Sequence, residues 1–343
     1  MADAAKTPPG IKALAFAMRR FPLDVRKTWW WWEQLYRKIG GGGFDDDPAL
    51  DARWPAGLQA PITTRPFGYK VRLDLTCWPE RRTFFSGSYY QTILERLYRQ
   101  VLRPGDQYLD IGANIGMTAL MAASLIGEKG KGFAFEPNPE THERLRINFE
   151  LNPYRCLELV PFAVADRESE AVLRLPAVGN TGIGSLAGPQ EEGGRSFVVR
   201  TVPGQRYLDR LDPAKPTFIK IDVEGFEVKV LGGIESALDW PEVALVVEVN
   251  DEMLERAGDS IAAMERIVKA HGFQVYGMEL DRGRFSRTLR LVGPVELPVA
   301  VERNWRDVLL VKPGSTFLRD RAAPLIQPAA GRADAGAHAG RTA

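Results

Sequence analysis

Gln107-Tyr108-Leu109-Asp110-Ile111-Gly112-Ala113-Asn114-Ile115-Gly116 is the stretch whose reading decides the fold. A short apolar run closes on two glycines four residues apart, and an apolar segment of helical length follows. Strand, tight turn and helix are expected in that order, because glycines at 112 and 116 let the backbone turn sharply and approach a ligand at the carboxyl edge of a parallel sheet. Outward from this unit, from about Phe84 to Pro313, β-branched or apolar runs alternate with helical ones. The spacing predicts strands over Gln107–Ile111, Gly132–Glu136, Leu157–Phe162, Thr217–Asp222 and Val243–Val249, with closing strands near Phe273–Leu280 and Asp307–Lys312. Helices are predicted over Gly116–Ile126, Pro139–Leu151, Phe226–Leu238 and Asp259–Ala270; Asn138 caps the second and Pro139 suits its first turn. Such alternation argues for βαβ units and an α/β fold built on a parallel sheet.

The loop is not G-x-G-x-x-G. A dinucleotide needs its phosphates against a helix N-terminus, whereas Asp110 puts a carboxylate in that mouth and Asn114 adds a side chain. A carboxylate suits the ammonium and sulfonium of S-adenosyl-L-methionine better than it suits phosphate. Glu136 ends the second strand, where it can accept hydrogen bonds from both hydroxyls of an adenosyl ribose. Nicotinamide enzymes use the same device, so Glu136 supports an adenosine without choosing the cofactor. Phe218-Ile219-Lys220-Ile221-Asp222-Val223-Glu224-Gly225 is the most unusual run. Strand alternation puts Lys220, Asp222 and, if the strand continues, Glu224 on one side. Charges in an inner parallel strand are costly unless paired. With the fourth strand between the first and the fifth, Asp110, Lys220, Asp222 and Glu248 are expected to meet at one sheet edge. That meeting reads either as an ion-pair network ordering the rim or as part of a catalytic cluster.

LDIGANIG (109–116), FEPNPE (135–140), Asn148 and Asn152 in RINFELN, FAVADRE (162–168) and IKIDVEGFEVKVLGG (219–233) followed by VVEVN together resemble the FkbM-type methyltransferases, over about Phe84 to Asn250. The resemblance implies a class I methyltransferase (Rossmann-like) fold, with a doubly wound, mostly parallel seven-stranded sheet and one antiparallel edge strand. It implies S-adenosyl-L-methionine as donor and O-methylation of a small-molecule or glycan hydroxyl, of polyketide or sugar type, with no obligatory metal. Carried over by position, Asp110, Gly112, Asn114 and Gly116 would hold the methionine part. Glu136, with Asn138 beside it, would hold the ribose. Ala163, Val164 and the residues up to Asp166 would lie by the adenine, or form a solvent-facing turn. The chain departs from the pattern at Ser88-Tyr89-Tyr90, where Gln91 replaces the acid of the usual Tyr-Glu pair.

Methyl transfer from a sulfonium is a one-step displacement, and alignment of oxygen, carbon and sulfur can supply roughly 7–11 kcal/mol. A neutral alcohol must also lose its proton, for which a positioned carboxylate adds about a hundred- to ten-thousandfold. Asp222 or Glu224 is the candidate base, with Asp222 also beside the cofactor and Lys220 holding the charge balance.

The 343 residues suffice for one large α/β domain with extensions, and a net charge of +1 gives no global case for nucleic acid or an anionic membrane. Cys77 and Cys156 have no Cys or His spaced to complete a metal site, so both are expected as apolar thiols in a reducing compartment. His142 falls in a helix, His271 at a helix end and His338 in the tail, positions that suit structural or solvated roles. No charged start followed by an apolar run precedes the domain, and no stretch approaches the roughly 18 apolar residues of a membrane span. A cytoplasmic protein is expected. Residues 1–75 form a Trp-rich extension, 76–313 the methyltransferase domain and 314–343 a disordered tail. Trp29 to Trp32 read in two ways: stacking on a sugar acceptor or touching a membrane interface, or packing on the core and on a partner subunit of a homo-oligomer. The insertion holding Asn180 to Leu186 is placed to hang over the cofactor mouth. Asn152-Pro153-Tyr154 resembles an amine-gripping motif but follows a helix instead of the fourth strand. Two other functions compete. One is a non-catalytic S-adenosylmethionine-binding scaffold; the other is a nicotinamide-dependent oxidoreductase, against which Asp110 and the missing third glycine speak.

Overall fold

Alternating apolar residues in five parallel strands bury both faces of one sheet: Tyr108, Ala134, Phe218 and Val246 pack into one core layer, and Leu109, Phe133, Ile219 and Val247 into the other. This is seen in a computed structural model, which describes residues 9–20, 59–175, 184–186, 193–282, 287–303 and 306–327. A helix α1 (Pro9–Arg20) and a hairpin of β1 (Gln59–Thr63) and β2 (Lys70–Asp74) precede α2 (Trp78–Ser86) and α3 (Thr92–Val101). The central unit is β3 (Gln107–Ile111), α4 (Met117–Ile126), β4 (Lys131–Phe135), α5 (Pro139–Glu150) and β5 (Leu157–Val160). A small sheet of β6 (Ala163–Val164), β7 (Ser169–Leu175) and β8 (Arg195–Val202) comes next. Then follow β9 (Thr217–Ile221), α6 (Glu227–Gly233), β10 (Val243–Glu248), α7 (Ile261–Ala270), β11 (Gln274–Arg282), β12 (Arg287–Val295), β13 (Asp307–Val311) and β14 (Ile326–Gln327).

The large sheet runs β14-β12-β11-β13-β10-β9-β3-β4-β5, with β5, β4, β3, β9 and β10 parallel. The chain leaves β3 toward β4 on one side and returns as β9 on the other, and ligands of such sheets bind at the carboxyl ends of that switch. The seven expected strands are all present, in the doubly wound order. Two features differ from the expectation. The antiparallel strand β13 lies inside the sheet, between β10 and β11, because its Val308-Leu309-Leu310-Val311 run is apolar on both faces and needs cover on both sides. The sheet also continues through β12 and β14 to nine strands. In β12 buried Leu289 and Leu291 alternate with Thr288 and Arg290, and Val292 packs into the core layer on the opposite face.

The ends of the domain also differ. Asn148 on α5 and Asn152 just past its end accept from the backbone N–H groups of Arg72 and Lys70 at 2.7 and 2.8 Å, and Asn152 Nδ2 donates back to the Lys70 carbonyl. The hairpin within the expected 1–75 extension is therefore stitched to the domain. Beyond 313, Phe317–Ala322 is a π-helical turn, and Arg321 is paired with buried Asp106 and donates to the Val101 carbonyl at 2.6 Å. The expected tail is ordered that far; 328–343, with His338, lie outside the described residues, as do Trp29 to Trp32. The helix predicted over Phe226–Leu238 is broken at Ile234. Among the described residues no helix is long and apolar enough to cross a membrane.

Candidate active site

A cavity of about 1130 Å³, its open mouth included, lies over the carboxyl ends of β3, β4 and β9. Its floor is the glycine loop. Gly112 has φ +85°, and a Cβ there would lie 1.9 Å from the carbonyl oxygen of Asp222, so only glycine lets the loop rest against the end of β9. Gly116, at φ +91°, serves helix packing: a Cβ would meet Leu145 of α5 at 2.5 Å, and Gly116 does not line the cavity. Asn114 lines it in a left-handed conformation, its Oδ1 accepting from the Ile115 N–H at 2.7 Å.

Glu136 follows β4 and is 8% exposed. Its Oε2 accepts from the Asn114 N–H and its Oε1 from the Asn138 N–H, both at 2.9 Å, so two backbone donors aim the carboxylate into the cavity wall. Burial pushes its pKa up to about 7, against the pull of those two N–H groups. Asn138 caps α5 by accepting from the Glu140 N–H at 3.0 Å, so its side chain is engaged while its surface still lines the cavity. Ala163 and Val164 form part of the wall with Phe162; Asp166 is exposed and turned away from it.

The charged run of β9 is paired from below. Parallel register sets Asp110 opposite Lys220, and the lysine Nζ lies 3.4 Å from both Asp110 Oδ1 and Asp222 Oδ2 while donating to the Gly112 carbonyl at 2.7 Å. Burial pulls the lysine pKa down, but Asp222 and Asp110 outweigh it and hold the ammonium charged. Asp110 is fully buried and accepts from the hydroxyls of Thr118 at 2.7 Å and Tyr108 at 3.1 Å. It does not line the cavity. The expected direct grip on the methionine part is corrected accordingly: Asp110 lies beneath the loop, because Lys220 on the neighbouring strand and Thr118 in the first turn of α4 take its oxygens.

Asp222, with a quarter of its side chain exposed, and Glu224 do line the cavity. Strand alternation is not what places Glu224. The strand ends at Ile221, and Glu224 enters a left-handed turn at φ +53° whose carbonyl accepts from Ser185 Oγ at 2.9 Å. Burial, then the nearby Asp222 charge, raises Glu224 to about 7. Glu248, 5% exposed at the end of β10, accepts from Arg306 at 2.8 Å; burial, then Asp222 and Glu224, push it up to about 10. Half-buried Asp307 faces the same group and is raised to about 7, first by desolvation and then by Asp222.

Several wall residues escaped sequence reasoning. Cys77, Glu80, Tyr89 and Tyr90 come from around α2 and the segment after it. Glu80 is locked by Arg144 Nη1 at 2.9 Å and by the Asp74 N–H at 2.6 Å. Tyr90 stands edge-on to Trp78 and Tyr89, with ring centroids 5.4 and 4.9 Å apart. Gly184 and Leu186 of the insertion reach the cavity too, Ser185 being tied to Arg174 of β7. Nothing local marks the positions around α2, since that segment is far from the loop in sequence, whereas Gly184 and Leu186 belong to the insertion expected over the mouth. His142 and His271 stay outside; His271 Nδ1 is 2.8 Å from Asp239 at the end of α7.

Residues 110–275 match the methyltransferase FkbM domain. The chain carries an FkbM-family methyltransferase domain. The hexuronic acid methyltransferase AglP of Haloferax volcanii is 29% identical over 189 residues, 55% of this chain and 74% of that protein. The 31-O-demethyl-FK506 methyltransferase FkbM of Streptomyces tacrolimicus is 29% identical over 201 residues, 51% and 75% of the two chains. A solved structure of methyltransferase FkbM from Methylobacillus flagellatus superposes with a TM-score of 0.36 at 16% identity, over 67% of this chain and 53% of that one. The match to this domain implies use of S-adenosyl-L-methionine. The methyltransferase domain spans the glycine loop, Glu136 and the β9–β10 acids, so the matched segment carries most of the cavity floor, and the walls from α2 lie outside it.

Proposed function

We propose that this methyltransferase transfers a methyl group from S-adenosyl-L-methionine to a hydroxyl oxygen of a small molecule or glycan. The observation that carries the reading is the pair Asp222 and Glu224, two carboxylates on the cavity wall with only one strand, β3, between their strand and the one ending at Glu136. Two strand spacings put these ends about 10 Å apart. The relatives named as hexuronic acid and 31-O-demethyl-FK506 methyltransferases support an oxygen-bearing acceptor.

The residues fit the donor. Glu136 is a buried acceptor already aimed by two backbone N–H groups, and its remaining lone pairs suit two vicinal hydroxyls. Ala163, Val164 and Phe162 offer an apolar slot for the adenine, and Asn114 offers a side-chain amide on the loop. When bound, S-adenosyl-L-methionine supplies a methyl carbon activated by the positive sulfur. Asp222 or Glu224 would take the proton of an acceptor hydroxyl held beside that methyl carbon. Lys220 keeps Asp222 in place and ties the loop carbonyl of Gly112 to β9, so the base and the loop hold one geometry. Leu173, Leu175 and Leu186 exclude water from the mouth.

Labelled methyl transfer into fractionated glycan and small-molecule extracts, with mass spectrometry of the product, tests the reading. A methyl ether is expected. Label recovered only on nitrogen or carbon, or donor binding with no transfer to any fraction, would overturn it.

A further inference from the structure

We propose that Asp222, Glu224 and Glu248 form a divalent-cation site at the edge of the cavity. One carboxylate oxygen from each lies within 4.8 Å of the others. The second observation is Glu248 itself: it is 5% exposed, Arg306 satisfies only Oε1, and Oε2 has neither solvent nor any hydrogen-bond partner. A carboxylate oxygen buried without a donor costs free energy that a nearby cation removes. The local charge points the same way. Among the described residues, Lys220 and Arg306 are the cations facing Asp110, Asp222, Glu224, Glu248 and Asp307, and Lys220 is already shared between two of these acids.

Donor chemistry sets the ion. The three ligands are all oxygen, with no Cys or His, which selects a hard cation, Mg²⁺, Mn²⁺ or Ca²⁺, over zinc or copper. Asp222 and Glu224 line the cavity, so the ion's open positions face it. The inference deepens the hydroxyl-methylation reading and rests on it only for what the ion does there, which is to bind the acceptor oxygen and ease loss of its proton.

Full-length protein stripped with EDTA is titrated with Mn²⁺, free ion being followed by electron paramagnetic resonance and Mg²⁺ used as competitor. We expect one saturable Mn²⁺ per chain at roughly millimolar or tighter affinity, weakened at least about tenfold in Glu248→Gln and in Glu224→Gln. Circular dichroism melting establishes that each variant is folded. Glu224 is the more exposed of the two, so its variant gives the answer if Glu248→Gln does not fold. Absence of saturation, or wild-type affinity in a folded variant, overturns the site. Titration with S-adenosylhomocysteine in the same samples reads the donor pocket alone, so failure of the ion site and failure of the methyltransfer reading are separately visible.

Discussion

Replacing Glu136 with Gln separates the donor-binding role of this residue from its place in the fold. Both carboxylate oxygens receive a backbone N–H, from Asn114 and Asn138, at 2.9 Å. A glutamine must turn its amide NH₂ toward one of them, and that mismatch costs about 1–3 kcal/mol. Against it stands the ionisation of a carboxyl moved by burial from 4.5 to about 7, a cost of about 3 kcal/mol in the folded chain at pH 8. The two effects nearly cancel, so the variant folds. Donor affinity has no such compensation. Hydrogen bonds to a charged acceptor are worth about 1.5–3 kcal/mol each, against about 1 for a neutral one, and one acceptor oxygen is lost outright. A drop of about 2–3 kcal/mol, roughly 30- to 150-fold in Kd, follows. The pH dependence has opposite signs for binding and for stability. Ribose hydroxyls favour the ionised carboxylate, so wild-type affinity falls as pH drops through 7 and is about tenfold weaker at pH 6 than above pH 8. For the ligand-free chain the raised pKa means that the folded state holds the proton more tightly, so this group's contribution to stability is present below pH 4.5 and is lost as pH rises through 7. Calorimetric titration with S-adenosylhomocysteine at pH 6, 7 and 8 measures the first, and thermal melts at the same pH values the second. A variant that binds within about threefold of wild type at pH 8, or a wild-type affinity flat from pH 6 to 8, refutes the assignment of Glu136 to the ribose.

Asp222→Asn and Glu224→Gln are expected to leave S-adenosylhomocysteine affinity within a few fold, and whichever is the base lowers kcat by about a hundred- to ten-thousandfold in single-turnover assays. Lys220→Met removes the cation paired with fully buried Asp110 and is expected to destabilise the fold by about 3–5 kcal/mol, read as a lowered melting temperature. Gly112→Ala forces a Cβ to within 1.9 Å of the Asp222 carbonyl oxygen at a positive φ, so soluble yield and donor affinity both fall, whereas the same change at exposed Gly10 of α1, where φ is not left-handed and nothing lies within 4 Å, leaves them largely intact. Truncation after residue 313 strips Asp106 of Arg321 and is expected to cost about 3–5 kcal/mol by denaturant titration; truncation after 327 keeps that pair.

The sequence by itself determined what is local. A strand closing on glycines at 112 and 116, a carboxylate ending the next strand and Asn138 before Pro139 each declare their structure within a few residues, because strand alternation, turn geometry and helix capping are short-range effects. Seven strands were legible for the same reason, whereas their doubly wound order came with the resemblance to a family. Tertiary structure alone decided which face each charge serves. Asp110 reads as a residue of the cofactor mouth, but register sets Lys220 beside it and Thr118 above it, so it closes the floor from beneath. Glu224 reaches the cavity through a left-handed turn that ends the strand, where period-two reasoning stops. Arg306 and Asp307 join the acids because β13 inserts beside β10, far along the chain. The walls from Cys77, Glu80 and Tyr90 likewise depend on how α2 packs and how Asn148 and Asn152 hold the hairpin before it. Such contacts join residues tens to hundreds of positions apart. Packing of whole elements against one another selects them, and no local pattern in the chain records that choice.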